Sequence, residues 1–342
     1  MNIDSPTDRD WPRHGGDLTA AAARYGIPVD DWLDLSTGIN PQPYPVPRPS
    51  ANLYATLPDK AALGRLLVAA RQAFQVAPEA AIAAVPGAEV AIYLAPNLVA
   101  PGPVVIFGPT YNSHQEAWEH AGRKVVVAGP GTSVPTDMTS AVIANPNNPD
   151  GRIVSPQALT QLAEMLAERG GMLLVDEAFA DTRPNSSLCP LLDRVPAVVL
   201  RSFGKFYGLP GLRLGFVAGP ARLVDRIARM LGDWPVSTAA IELGTTALDD
   251  ADWREATRKR LAAEAHRLRG ILMRHGMTVV GGTDLFVLAS HNKAATIHRG
   301  LAEQAILTRA FRRQPEWLRF GLPAAGGFDR LDRALGEIAT GD

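Results

Sequence analysis

The segment from Arg201 to Gly215 contains the side chains whose types and spacing most clearly indicate chemistry. It reads Arg-Ser-Phe-Gly-Lys-Phe-Tyr-Gly-Leu-Pro-Gly-Leu-Arg-Leu-Gly and directly follows an apolar strand pattern. We therefore expect Ser202 and Lys205 at the carboxyl end of a strand, where open α/β sheets bind their ligands. Lys205 could form a Schiff base, Ser202 and Arg213 could bind a phosphate, and the glycines let the backbone approach a cofactor closely. The alternative is a glycine-rich turn with incidental charges.

Two further apolar runs end in polar side chains that extend this hypothesis. Asp176 closes the run Met172–Val175, and a carboxylate there could keep a pyridine nitrogen protonated, so that the ring acts as an electron sink. Asn148 lies in the turn Asn145–Gly151 and could donate to a phenolate oxygen. Taken with Lys205, these groups indicate pyridoxal phosphate. Taken singly, Asp176 could merely cap a turn, and Asn-Pro and Asp-Gly are ordinary turn signals.

The composition of the 342 residues argues against several other classes of function. The 34 Lys and Arg residues against 35 Asp and Glu give a net charge of −1, and the basic residues are scattered, so we expect no nucleic-acid partner. Cys189 is the only cysteine, so no internal disulfide is expected, and the reducing cytoplasm fits best. No clustered set of Cys and His residues has metal-ligand spacing, so no metal site is expected. The N-terminus lacks the apolar region of a secretory signal, and no apolar run approaches the ~18 residues that span a bilayer. We expect no membrane role.

Short apolar runs predict the strands that must position these groups. They lack polar alternation and are bounded by Gly, Pro or Asn, which is typical of strands covered by helices on both faces of a sheet. The predicted strands are Val104–Phe107, Lys124–Val127, Ala141–Ala144, Met172–Val175, Val198–Leu200 and Leu214–Ala218. Helical spacing of apolar residues predicts helices over Lys60–Phe74 and Ala88–Leu98. The fold class is therefore α/β.

The pattern changes near residue 235. Two long helical stretches, Ser237–Leu248 and Trp253–Met273, are followed by short strand and helix patterns, which predict a small α+β domain. Its predicted elements are strands Thr278–Val280, Leu285–Leu288 and Trp317–Phe320, a helix over Lys293–Gln304 and a closing helix from Asp329. We expect an N-terminal arm over 1–50 that includes a proline-rich run, a large cofactor-binding domain over 51–235, and the small domain over 236–342.

The motifs in this order resemble those of the fold-type I pyridoxal-phosphate enzymes, the aspartate aminotransferase superfamily. The resemblance extends from about Leu35 to Phe320 and rests on Asn-Pro-Asn-Asn-Pro-Asp-Gly, Asp-Glu-Ala-Phe, and Ser-Phe-Gly-Lys followed by Gly-Leu-Arg. It implies a mostly parallel central sheet in the large domain. It also assigns roles to residues already singled out. These are Lys205 as the cofactor-binding lysine, Asp176 at the pyridine nitrogen, Asn148 at the phenolate oxygen, and Ser202 with Arg213 at the phosphate.

The same resemblance implies further cofactor contacts. The amides of Ala88 and Glu89 should face the phosphate at a helix N-terminus, Tyr111 should stack on the ring, and Tyr54 should reach the cofactor of a partner in a homodimer. A half-buried loop tyrosine would fit the sequence around Tyr111 equally well. The sequence departs from the family at Phe179, where many relatives carry a tyrosine that donates to the phenolate oxygen, and at Asp150, where threonine is usual.

The C-terminal part resembles segments of histidinol-phosphate aminotransferase-like enzymes that supply two arginines to the substrate. Arg319, inside a strand pattern where a charge is otherwise costly, is expected to bind the substrate carboxylate. Arg309 is then available for a second anion such as a phosphate. In the alternative reading, Arg309 belongs with Arg312 and Arg313 to a solvated basic surface.

The N-terminus resembles a branch of the family, the L-threonine-O-3-phosphate decarboxylases of cobalamin biosynthesis. The resemblance lies in Arg13–Asp17 and Trp32–Pro41. It implies that His14 and Gly38 contact a phosphorylated amino-acid substrate, and that the product is (R)-1-amino-2-propanol O-2-phosphate. The alternatives are a histidinol-phosphate-type or other class I/II aminotransferase, and a catalytically idle relative that acts as a regulator. Retention of Lys205 with its neighbours argues against the idle relative.

Overall fold

The computed structural model describes residues 15–47 and 52–340, and the chain forms two compact units. The large unit is Pro43–Lys259. The split unit combines Met1–Gln42 with Arg260–Asp342. This division differs from the boundaries at 50 and 235 that the sequence indicated.

The described elements run in the following order. The strands are β1 (Leu33–Asp34), β2 (Ala81–Val85), β3 (Val104–Phe107), β4 (Val125–Ala128), β5 (Ser140–Ala144), β6 (Met172–Asp176), β7 (Ala197–Ser202), β8 (Gly215–Gly219), β9 (Thr278–Thr283), β10 (Phe286–Ser290), β11 (Ile306–Leu307), β12 (Arg309–Ala310) and β13 (Trp317–Gly321). The α-helices are α1 (Leu18–Tyr25), α2 (Asn52–Ala55), α3 (Lys60–Ala73), α4 (Ala88–Leu94), α5 (Asn112–His120), α6 (Pro156–Glu168), α7 (Phe203–Phe206), α8 (Ala221–Leu231), α9 (Thr238–Asp249), α10 (Ala251–Arg274), α11 (Ala294–Glu303) and α12 (Gly327–Thr340).

The large unit is built around a mixed, mostly parallel sheet with the strand order β2-β8-β7-β6-β5-β3-β4. The strands from β7 to β4 pair in parallel, whereas β8 is antiparallel to both of its neighbours. Every residue of β5 and β6 is buried, as expected for strands with helices on both faces. The predicted α/β class and its central sheet are confirmed.

Helices cover the sheet with their apolar faces. Ala91 and Ile92 of α4, Trp118 of α5 and Ile227 of α8 are buried in one cluster with the strands. Helix α6 begins with the side chain of Ser155 accepting from the amide of Ala158, a common N-cap arrangement. These helices leave the carboxyl ends of the parallel strands as the edge available for a ligand.

Three details of the large unit differ from the sequence-based expectation. Strand β2 was not predicted, because its alanine-rich sequence carries little of the β-branched signal that marks strands. Helix α4 ends at Leu94 and continues as a 3-10 turn that contains Pro96, which cannot donate to a helical ladder. Helix α9 packs on α3, so the large unit extends past residue 235 into α10.

The split unit contains an antiparallel sheet of order β12-β13-β10-β9 and a parallel pair of β1 with β11. Helix α1 packs on α11, and a small core forms around Trp32, Ala302 and Ala305. The predicted small domain with strands near 278, 285 and 317 is thus observed, with the N-terminal β1 added to it. None of the helices in the described ranges has the length and apolar character needed to cross a bilayer.

Candidate active site

The loops after β3, β5, β6 and β7 meet at one edge of the large-unit sheet. Because these strands are parallel, their carboxyl ends lie together. The amide of Asn145 donates to the carbonyl of Asp176 at 2.8 Å, and the Asn147 side chain donates to the carbonyl of Pro109 at 2.9 Å. Asp176 ends β6, and Ser202 ends β7 immediately before α7, which carries Lys205.

Asp176 is held by a histidine that the sequence analysis did not single out. Nε2 of His114 lies 2.9 Å from Oδ2 of Asp176, and His114 is fully buried. The second carboxylate oxygen accepts from the amide of Ala178 at 3.0 Å. The tautomer of His114 with its proton on Nε2 is the one that would donate to a carboxylate at this position. The pair fixes the orientation of a buried carboxylate that is 6% exposed.

A close approach of backbone and guanidinium forms the phosphate end of the candidate site. Gly87 has φ +87°, and a Cβ atom placed there would lie 2.8 Å from Nη2 of Arg213. A Cβ atom on Gly215 would lie 2.7 Å from the amide nitrogen of Ala88, the first residue of α4. Gly215 pairs with Ser202 in the β7–β8 ladder. The structure therefore brings Ser202, Arg213 and Ala88 to one place, and glycines keep it open.

Lys205 lies on α7, which directly follows the end of β7. It is partly exposed on α7, and its Nζ is 6.0 Å from the ring centroid of Phe179. Phe179 is buried and carries no hydroxyl, so it cannot make the hydrogen bond that a tyrosine at this position would donate to the phenolate oxygen. A Cβ on Gly204 would lie 2.8 Å from Cα of Pro210, so the loop after α7 packs tightly against it.

Tyr111 and Asn148 lie on the loops after β3 and β5. The ring of Tyr111 lies edge-on to His114, with 6.2 Å between the centroids. Burial raises the pKa of Tyr111 to about 12, and the Glu89 carboxylate on α4 adds to the shift, so the hydroxyl is neutral at pH 7. The side chain of Asp150 accepts from Asn147 at 2.7 Å and from the amide of Arg152 at 3.0 Å. Asp150 thus stabilises the loop that carries Asn148.

These residues fit pyridoxal phosphate. Asp176 offers a carboxylate for the ring nitrogen, and Lys205 an amine for the cofactor's carbonyl carbon. The phosphate would lie among Ser202, Arg213 and the start of α4, where glycine leaves room that a side chain would fill. Arg213 itself is exposed and adopts the left-handed conformation at φ 52°, which turns its side chain towards Gly87.

The two arginines expected at the substrate lie in the split unit. Arg309 of β12 and Arg319 of β13 are directly opposite each other in the antiparallel register. Arg319 is 7% exposed, donates to the carbonyl of Ser36 at 2.7 Å, and lies 5.1 Å from the ring centroid of Phe286. Like charges directly opposite on paired strands are destabilising, so this placement favours a role in binding anions.

The N-terminal motif approaches the same arginine within the split unit. The amide of Gly16 donates to Oγ of Ser36 at 2.7 Å, and a Cβ on Gly15 would collide with the backbone of Ser36. Ser36 also accepts from Arg319 through its carbonyl. Gly38 is buried two residues further along the chain. His14 lies outside the described residues.

Tyr54 lies on α2 of the large unit, where its side chain is 72% exposed. Sequence reasoning also missed two features of the site. His114 follows Tyr111 by about one helical turn, a spacing that could have drawn attention to it. The opposition of Arg309 and Arg319 depends on strand register across a connecting loop, which single-sequence patterns do not reveal.

Comparison with known proteins places the chain in a family. Residues 49–338 match the model described as aminotransferase class I and II. The chain belongs to this family. It is 40% identical over 329 residues to the threonine-phosphate decarboxylase of Pseudomonas aeruginosa, covering 94% of this chain and 96% of the relative. It is likewise 40% identical over 328 residues to the threonine-phosphate decarboxylase of a Sinorhizobium species, covering 95% and 98%.

A solved structure extends the comparison to the fold. Histidinol-phosphate aminotransferase from Sinorhizobium meliloti, in complex with pyridoxal-5'-phosphate, superposes with a TM-score of 0.83 at 20% identity and covers 98% of this chain and 99% of that chain. The predicted membership of the aminotransferase superfamily and the predicted fold are confirmed.

Proposed function

We propose that this chain is a pyridoxal-phosphate-dependent decarboxylase that converts L-threonine O-3-phosphate to (R)-1-amino-2-propanol O-2-phosphate in cobalamin biosynthesis. The observation that carries the proposal is the 40% identity, over 94% of the chain, with a protein named threonine-phosphate decarboxylase. The arrangement of the arginines supports it, because such a substrate presents a carboxylate and a phosphate, and Arg319 and Arg309 are paired residues in the β12–β13 register.

The cofactor, when bound, would act as the sink for the electron pair left at the substrate Cα when carbon dioxide departs. Side chains around the strand ends would bind the cofactor for this reaction. Asp176, oriented by His114, would hold a proton at the ring nitrogen, Asn148 would donate to the phenolate oxygen, and Arg213 with Ser202 would bind the phosphate. Lys205 Nζ is the group placed to return a proton to Cα. The contact of Asp176 with His114 at the end of β6 and the approach of Arg213 to Gly87 support these roles.

In the substrate, Arg319 would bind the carboxylate and Arg309, with His14, the phosphate. A decarboxylase must leave the carboxylate bond free to align with the ring, so the remote phosphate is the better anchor. Gly15, Gly16 and Gly38 would let the backbone around Ser36 come close to that anion.

A product assay tests the proposal. L-threonine O-3-phosphate labelled with carbon-13 at C1 should release labelled carbon dioxide, and plain threonine should be a poor substrate because it lacks the anchoring phosphate. The competing activity is that of an aminotransferase, since the family includes such enzymes. A ping-pong exchange with 2-oxoglutarate that yields a 2-oxo acid without carbon dioxide would replace our proposal with that activity.

We further propose a homodimer in which Tyr54 reaches the cofactor phosphate of the partner. Tyr54 and Leu57 are 72% and 69% exposed, and large apolar side chains so close together favour a protein partner. Mixing inactive Lys205→Ala and Tyr54→Ala proteins should restore activity, because one site of each mixed dimer would be intact. A fully active monomer, or mixed dimers without restored activity, would rule the arrangement out.

The cytoplasm is the compartment we propose for this activity. Cys189, the single cysteine, is buried and reduced, and a chain with one cysteine gains nothing from an oxidising compartment. Cell fractionation followed by the carbon dioxide assay should place the activity in the cytoplasmic fraction, and activity recovered with membranes or secreted protein would contradict this.

A further inference from the structure

A buried ionic cluster lies beside the candidate active site, in the loop that follows Asp176. Arg201 donates to Glu177 at 2.9 Å and forms a second ion pair with Asp181 at 2.8 Å. All three side chains are at most 3% exposed. Glu177 also accepts from the hydroxyl of Ser187 and the amide of Leu188, both at 2.6 Å. The ring of Phe74 covers the guanidinium at 4.3 Å.

Asp181 connects this cluster to both sides of Lys205. Its side chain holds Arg201, which directly precedes Ser202 and lies four positions before the lysine. Its main-chain carbonyl accepts from Nε of Arg258 at 2.7 Å, and the Arg258 guanidinium lies 5.7 Å from the ring centroid of Phe206. Phe206 directly follows Lys205 in α7. The loop after Asp176 is therefore fastened to the chain on both sides of the lysine.

The electrostatics of the cluster make these contacts sensitive to charge. Burial raises the pKa of Glu177, and the Arg201 charge opposes that shift. Burial alone would lower the pKa of Arg201, but the charges of Asp181 and Glu177 outweigh it and hold the value above its usual range. Two carboxylates thus share one guanidinium. Removing the charge of either carboxylate changes the net charge of the buried cluster. Removing one partner would leave a buried charge uncompensated, which is strongly unfavourable, so the cluster has few alternative arrangements.

We propose that Asp181 is a positioning residue that sets Lys205 relative to Asp176, by holding Arg201 before the lysine and Arg258 beside Phe206 after it. The proposal rests on the assignment of Lys205 and Asp176 to the cofactor. Asp181 does not itself touch the cofactor, because its side chain is directed into the buried cluster. Its effect on cofactor binding passes through the chain around the lysine.

The test compares Asp181→Asn with Asp193→Asn, an exposed aspartate in the same connecting region. Asp181→Asn keeps the size of the side chain and removes its charge. We expect the dissociation constant for pyridoxal phosphate, measured on the apoenzyme by fluorescence quenching, to rise about 10- to 100-fold, as small misplacements at reacting groups do. The pH midpoint of the visible absorbance of the bound cofactor should also shift. Asp193→Asn should stay within about twofold of the unmodified protein.

A purely structural role predicts a different result. The thermal midpoint of the apoenzyme would then fall in Asp181→Asn, while the cofactor dissociation constant and the pH midpoint stayed unchanged, and this outcome would overturn the proposal. If Asp181→Asn does not fold, Arg258→Met provides the second test. It removes the donor to the Asp181 carbonyl from a side chain that is 22% exposed. It should raise the dissociation constant and shift the midpoint in the same direction, and no change in either would equally refute the proposal.

The cofactor assignment is checked separately in the unmodified protein. Borohydride reduction followed by peptide mapping should find the cofactor attached to Lys205. If the cofactor is attached elsewhere, the assignment of Lys205 fails. If it is attached to Lys205 and the variants bind it normally, only the positioning role of Asp181 fails.

Discussion

The charged residues assigned to the candidate site are arranged differently in the two units. In the large unit, charged groups near the strand ends face partners that compensate them, as Asp176 faces His114 and Arg201 lies between Glu177 and Asp181. In the split unit, Arg309 and Arg319 face each other across paired strands. Ion pairs hold these side chains in fixed positions, which suits the binding of a cofactor that remains in its site. Opposed like charges suit a substrate that brings its own anions and leaves again.

The largest expected effect comes from the large unit. Lys205→Ala removes the amine that attaches to the cofactor, so borohydride should trap no cofactor on the protein, and decarboxylation should be lost. Mass spectrometry of the reduced protein gives the readout. The matched control is Lys293→Ala, an exposed lysine of the split unit. If borohydride still traps the cofactor on Lys205→Ala, Lys205 is not the residue that attaches to the cofactor.

The next effect tests the split unit. Arg319→Met should reduce kcat/KM for L-threonine O-3-phosphate, because the substrate carboxylate loses a buried charge-assisted partner. The expected loss corresponds to about 2–5 kcal/mol of transition-state stabilisation. Steady-state kinetics at saturating cofactor measures this, with circular dichroism to verify folding. Arg313→Met, at an exposed position nearby, should behave like the unmodified protein. Equal losses in both variants would indicate a general effect of surface charge.

A pH effect on stability follows from the burial of His298. Burial lowers the pKa of His298 to about 4, and the charges of Arg24 and Arg309 add to the shift. The unfolded chain, with a pKa near 6.5, therefore binds more protons between pH 6.5 and 4, so folding stability falls as the pH drops through that range.

Urea unfolding at pH 7 and pH 4 measures this loss. His298→Gln should lose less stability than the unmodified protein over the interval, by up to about 3 kcal/mol, whereas the exposed His266→Gln should lose as much as the unmodified protein. Identical pH dependence in His298→Gln and the unmodified protein would show that the split unit does not hold this histidine neutral.

The smallest expected effect concerns the departure from the family pattern at Asp150. Asp150→Asn keeps the oxygen that accepts from Asn147 and the amide of Arg152, and loses only the ion pair with Arg152 at 2.8 Å. Cofactor affinity and unfolding free energy should each change by less than about 1 kcal/mol, as is usual for partly exposed pairs. A larger loss of cofactor affinity would mean that charge at Asp150 helps to place Asn148.

Much of the large unit could be predicted from the sequence, because its strands are continuous apolar runs that end in polar motifs. The predicted run before Asp176 ends one residue before the end of the observed strand, and the predicted run before Ser202 ends two residues before it. Strand β2 was missed, since alanine carries little strand signal. The contact of His114 with Asp176 joins distant segments. The spacing of His114 after Tyr111 could have drawn attention to the histidine, but no local pattern identifies Asp176 as its partner.

The split unit was harder to predict for a related reason. Its antiparallel strands were visible as short patterns, but the register that opposes Arg309 to Arg319 is set by packing around the sheet. The inclusion of residues before Gln42 was also missed, because β1 pairs with β11 across most of the chain length. Local sequence signals do not encode such distant pairing.

The division of labour between the units is tested most directly by comparing Arg213→Met with Arg309→Met. For each variant, the cofactor dissociation constant of the apoenzyme and the KM for L-threonine O-3-phosphate at saturating cofactor are measured. Our account predicts that Arg213→Met weakens cofactor binding with little change in KM, and that Arg309→Met raises KM with little change in cofactor binding. If Arg309→Met weakens cofactor binding as much as Arg213→Met does, the account is contradicted.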